Sequence, residues 1–137
     1  MTIRIMGVDE RDSAWEDEQP RFRVYFQYPG EQPSVDSMAG MWTATYDVTG
    51  ADVLQVVDWA QRRAGDELVY SVALVLDRPH RFPGDERGLL WVVGMDANDS
   101  YPDAAQREVK RRMLARRRDP VRVGPDDRMP DSATIAE

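Results

Sequence analysis

The stretch Thr49-Gly-Ala-Asp-Val-Leu-Gln-Val-Val-Asp-Trp-Ala-Gln-Arg-Arg-Ala-Gly-Asp-Glu-Leu-Val-Tyr-Ser-Val-Ala-Leu-Val-Leu76 decides the fold. Val53, Val56, Val57, Ala60 and Ala64 recur along one stripe at helical spacing, which predicts a helix with one buried side. Thr49 or Gly50 is the expected cap. Asp52 falls in the first turn and Arg62 and Arg63 in the last, each sign opposing the partial charge of its helix end. Gly65 supplies a residue that tolerates the left-handed backbone of a helix stop. Leu68 to Leu76 then runs without a charge, so both faces of this strand are expected to be covered. A helix with one apolar side, turned tightly into such a strand, belongs at the centre of a packed domain.

The two faces of that strand differ. Leu68, Tyr70, Val72, Leu74 and Leu76 point one way, and the smaller set Val69, Ser71, Ala73 and Val75 the other. The small-residue face suits a closely packed helix. The large-residue face must also be hidden, at about 1.5–3 kcal/mol per large side chain. A homodimer is expected if the second helix docks elsewhere.

Working outward, Leu89–Met95 reads as another strand, joined to the first by Asp77–Gly88. Upstream, Met41–Val48 alternates Trp42, Ala44, Tyr46 and Val48 against Thr43, Thr45 and Asp47. Arg21–Tyr28 alternates most cleanly, with Phe22, Val24, Phe26 and Tyr28 toward the core and Arg21, Arg23, Tyr25 and Gln27 toward water. Thr2–Val8 has the spacing of a short first strand. Ser100-Tyr-Pro-Asp103 predicts the start of a second helix, with Ser100 as cap, Pro102 in the first turn and an acid three residues on, and with the stripe Tyr101, Ala105, Val109, Met113 and Leu114. Asp119 and Pro120 end it. Pro120–Val123 is a candidate edge strand within a proline-containing remainder.

The expected architecture is therefore α+β: a mostly antiparallel sheet of about five strands, in the order β-β-β-α-β-β-α, with two helices packed on it. Residues 1–119 form one domain and 120–137 a loosely ordered tail. At 137 residues the chain is long enough to hide a core without staples.

Composition narrows function by exclusion. There is no cysteine, which removes disulfides, thiolate metal sites and cysteine nucleophiles together. No apolar run reaches membrane-spanning length, and acid follows Met1–Met6 where a signal peptide needs its apolar core. A cytoplasmic protein that binds no membrane is expected. The net charge is −7, with residues 1–100 acidic on balance and residues 101–137 mildly basic. Such a field repels nucleic acid and attracts basic partners. No glycine-rich phosphate loop or dinucleotide fingerprint occurs.

Four places carry candidate chemistry. His80, the single histidine, sits near Asp77, Asp85 and Glu86, the ingredients of a held general base; the competing reading is an exposed loop histidine. Asp96-Ala-Asn-Asp99 has oxygen ligands but puts Tyr101 and Arg107 where a calcium loop needs glycine and glutamate, which favours turn and cap roles and no metal. Arg107–Arg118 holds seven bases and one acid, including Arg111 and Arg112, and reads as a solvated helix face or as a partner contact. Asp9–Pro20 holds six acids around one large apolar residue, Trp15. With Glu16, Asp17 and Glu18 beside it, this tryptophan either caps the core or anchors an acidic contact surface.

No catalytic signature and no cofactor motif stands out. The expected function is protein binding, as an inhibitor or immunity-type protein that neutralises a basic partner, through Trp15, Glu16, Asp17, Glu18, His80, Arg111 and Arg112. A small hydrolase-like enzyme using carboxylates or His80 is the alternative. A nucleic-acid-associated or structural subunit using the basic helix ranks third.

Overall fold

A computed structural model describes residues 2–36, 41–77, 87–98 and 103–136, with backbone alone for 41–43. Four strands, β1 (Phe22–Tyr28), β2 (Met41–Val48), β3 (Val69–Asp77) and β4 (Arg87–Val93), form one antiparallel sheet in the order β2-β1-β3-β4. Helix α1 (Val53–Ala64) connects β2 to β3, and helix α2 (Ala104–Ala115) follows β4. Because β2 and β3 are each antiparallel to β1, they run parallel to each other with β1 between them. The class is α+β, as the patterning implies, with four strands among the described residues in place of about five.

The missing strand is Thr2–Val8. It keeps its alternation but makes no ladder, and Ile3, Ile5, Met6 and Val8 are 74–95% exposed. Period-two spacing qualifies a segment for a sheet, and only a partner for its backbone groups makes it a strand. Pro120–Val123 likewise forms no strand. The amide and carbonyl of Val121 are taken by the side chain of Gln61, at 3.0 and 2.6 Å.

The main core lies between α1 and one sheet face. Phe22, Val24, Phe26, Tyr70 and Val72 meet Val56, Val57, Ala60 and Ala64 there. Phe26, Tyr46 and Trp59 complete it as three edge-to-face rings with centroids 5.6–6.0 Å apart. The large-residue face of β3 is thus covered by α1 of the same chain, and the case for a second subunit on that face disappears. The α1 stripe is also shifted. Val53 lies half in water, whereas Asp58 is buried.

Helix α1 starts later than Thr49 or Gly50. Asp52 is the cap: its carboxylate accepts the Gln55 amide (2.9 Å), and the Gln55 side chain accepts the Asp52 amide (3.0 Å). Gly65 ends the helix at φ 59°, as its type allows. At α2 the cap is Asp103 and not Ser100, because Gln106 three residues on completes the same reciprocal box. Ser100–Pro102 lie outside the described residues.

Helix α2 packs at the Val69 end of the small-residue face, where Val69, Ala97 and Met113 form a second core with Met95, Val109 and Leu114 around it. Gly94 permits this approach. Its φ is 75°, and a Cβ there would stand 3.0 Å from that of Ser71 and 3.2 Å from the Met113 sulfur. A bulge places an extra residue, Thr43, in β2 opposite Phe26/Gln27, while β1 stays in regular register with β3. Gln27 keeps the face of its partner Val69 and is buried there at the α2 end, its amide donating to Asn98 (3.1 Å), whereas Tyr28 at the strand end is exposed.

The segment after α2, which composition marks as a loose tail, touches α1 at two fixed points. One is the Gln61–Val121 pair. The other is Met129, which is buried and whose amide donates to the Asp58 carboxylate at 2.9 Å.

Candidate interaction surface

The acidic segment precedes β1 as exposed chain. A short 3-10 turn, Glu10–Asp12, is capped by Asp9, whose carboxylate accepts the Arg11 amide at 3.0 Å and pairs with its guanidinium at 2.7 Å. Asp12, Glu16, Asp17 and Glu18 all lie in solvent, and Trp15 among them is 60% exposed. Gln19 donates its amide to Asp17 (2.8 Å), a local turn that ends the acidic run before Pro20. The segment therefore presents one large apolar ring surrounded by negative charge.

The basic helix distributes its charge among partners of its own molecule. Arg107 forms an ion pair with Asp36, and Arg111 pairs with Glu108 one turn back at 2.6 Å. Glu108 is held below the usual carboxylate range first by that Arg111 hydrogen bond. Arg112 is exposed, whereas Lys110 is buried. The acidic residues at 16–18 and the bases at 111 and 112 thus belong to separate elements. His80 lies outside the described residues. Asp96 accepts the Asn98 amide at 2.9 Å, a side-chain turn at the end of β4, and no three potential metal ligands cluster among the described residues.

Sequence reasoning missed the arrangement on the second sheet face beyond the part that α2 covers. Ser71 and Ala73 on β3 are too small to fill it, and rings from the flanking strands meet above them: Tyr25 of β1 and Trp91 of β4, 5.1 Å apart. Below this pair a charge ladder crosses all four strands. Asp47 of β2 accepts Arg23 on both oxygens (2.7 and 3.1 Å) and Arg21 at 2.7 Å, while Asp77 of β3 lies 3.6 Å from Arg21 and 2.6 Å from Arg87 of β4. The Arg23 hydrogen bond, more than any other cause, holds the Asp47 carboxyl below its ordinary range; Arg87 does the same for Asp77. Carboxylates kept charged in this way are poor proton acceptors, so the ladder is suited to binding and positioning and not to acid–base chemistry. The exposed alternation of Arg21, Arg23 and Tyr25 signalled a wet face, but the partners were set by strand register.

A groove of about 580 Å³ opens on the opposite side, between β2, the start of α1 and the chain's last residues, with Tyr46, Val48, Gln55, Trp59, Met129 and Ile135 on its walls. Arg63 stacks on Tyr46 and Trp59 at its margin, 5.0 and 5.7 Å from their centroids. Its one ionised wall residue is Asp47, already bound by Arg21 and Arg23. Compared with known proteins, the chain matches no family model, no curated protein and no solved structure. No helix among the described residues is long and apolar enough to cross a membrane.

Proposed function

We propose that this chain is a protein-binding module of the inhibitor or immunity type, which neutralises a basic partner through the acidic segment Asp9–Glu18. The observation that carries the reading is the exposure of Trp15 amid Glu10, Asp12, Glu16, Asp17 and Glu18. An indole 60% exposed has apolar surface still to bury on contact, and tryptophan dominates binding hot spots for that reason. The acids around it supply steering, since a basic surface is drawn to a chain of net charge −7 at a rate that falls with salt.

The test uses the whole chain as bait and a basic protein retained by it, purified and titrated in solution. Trp15→Ala is expected to weaken binding at least tenfold, about 1.4 kcal/mol or more, with the melting temperature unchanged. The combined change Glu16→Gln, Asp17→Asn and Glu18→Gln is expected to slow association and flatten its salt dependence. A fall in melting temperature with affinity intact would show that Trp15 serves the fold, and binding indifferent to salt and to the triple change would sink the proposal.

A further inference from the structure

Large exposed apolar side chains concentrate in two places: Ile3, Ile5, Met6 and Val8 of the N-terminal arm, and Leu89, Leu90 and Val92 of β4, which are 39–52% exposed. Strand β4 ends the sheet, and among the described residues its outer edge meets no strand. Edge strands are commonly blunted by an inward charge, a proline or a bulge. Gly88–Trp91 has none of these, and the one bulge, at Val92, lies toward the end of the strand. Among the described residues one molecule thus carries at once a strand-patterned segment in no ladder and an apolar edge that meets no strand.

We propose that the N-terminal arm of a second copy of this chain adds to the outer edge of β4 as an antiparallel strand, and that two copies exchange arms reciprocally. The arm from Thr2 to Val8 matches the seven residues of β4 in length. With Val8 opposite Arg87, Met6 falls opposite Leu89, Ile5 opposite Leu90 and Arg4 opposite Trp91, all short of the bulge at Val92. Opposed residues of an antiparallel pair share a face. Leu90 lies on the face of its partner Leu74, so Ile5 extends the α1 side of the sheet. Leu89 and Trp91 lie on the face of Val75 and Ala73, so Met6 covers Leu89 and the Arg4 guanidinium lies over the Trp91 indole.

The same register carries Glu10 past the Arg87 end, on Arg87's own face, which adds a charge match that a parallel arrangement would lose. The occupant is a second copy because within one molecule the arm stands in solvent while the edge is open. Reciprocal exchange closes the contact with two-fold symmetry and leaves neither arm nor edge unused.

The absence of cysteine makes the test direct. Separate variants Ile5→Cys and Leu90→Cys are mixed in a glutathione buffer, because directly opposed strand residues lie within disulfide reach. The mixture is expected to yield a disulfide-linked heterodimer that neither variant yields alone. Sedimentation equilibrium of the unmodified chain is expected to approach twice 15.7 kDa with rising concentration, and Ile5→Pro, which removes a strand donor from an exposed arm, to restore the single-chain mass with an unchanged circular dichroism spectrum. Should Leu90→Cys disturb folding, Met6→Cys with Leu89→Cys reports the same register. A single-chain mass at every concentration overturns the proposal. So does cross-linking of Leu90→Cys chains to each other alone, which means edge-to-edge pairing, or closure within one chain of the double variant, which means that the arm docks on its own β4.

Discussion

Asp47 of β2 shows how much a single residue here depends on its neighbours in the sheet. Its carboxylate joins Arg23 of β1 and Arg21 just before that strand, and the pairing holds its pKa down, the Arg23 hydrogen bond first and burial opposing. A carboxyl whose folded pKa is depressed contributes stability that is fully present above its unfolded value, about 3.9, and is lost as pH falls through the folded one. Asp47→Asn is therefore expected to cost about 1 kcal/mol in urea unfolding at pH 7. The gap between parent and variant should close as the pH is lowered below about 4. A gap that stays constant into acid would mean that packing and not charge is lost. Trp15 could be singled out by composition, as a lone apolar residue in an acidic run. Tyr25 and Trp91 could not be paired in the same way, because they lie 66 positions apart in sequence and meet only through the registers Tyr25–Ser71 and Ala73–Trp91.

Among the elements, the helices were the most legible and their first residues the least. The α1 stripe is a local property, set by 3.6 residues per turn. The cap is a competition among Thr49, Gly50 and Asp52, which Asp52 wins because Gln55 three residues on completes a reciprocal pair of hydrogen bonds. Asp52→Ala is expected to lower stability by about 1 kcal/mol by chemical denaturation. Thr49→Ala should change it by less than about 0.5 kcal/mol. Equal effects would return the cap to Thr49. The strands were found by alternation, but Gln27 is buried and Tyr28 exposed because the Gln27 face is covered at its Val69 end, and nothing in the spacing of β1 announces where along a face the second helix packs.

At the scale of the whole molecule, Asp58 connects distant parts of the chain. It is 4% exposed on the flank of α1, and its carboxylate receives both Arg62 (2.6 Å) and the Met129 amide (2.9 Å). Asp58→Ala leaves a buried N–H and a guanidinium without that acceptor and is expected to cost about 2–3 kcal/mol. It should also release the last residues, so that trypsin cuts after the exposed Arg128 faster than in the parent while cleavage elsewhere is unchanged. Cleavage at the parent's rate would place the hold on this segment at Gln61 and Val121 alone.

Local periodicity and composition suffice for the α+β class, the two helices, the candidate strands and the acidic, cysteine-free chain. Tertiary contacts settle which four of those strands pair and in what order, which face α1 covers, the meeting of Tyr25 with Trp91, and the exposure of Thr2–Val8. Those outcomes depend on which distant backbone groups and side chains find one another, and a pattern with a period of two qualifies a segment for pairing without naming its partner.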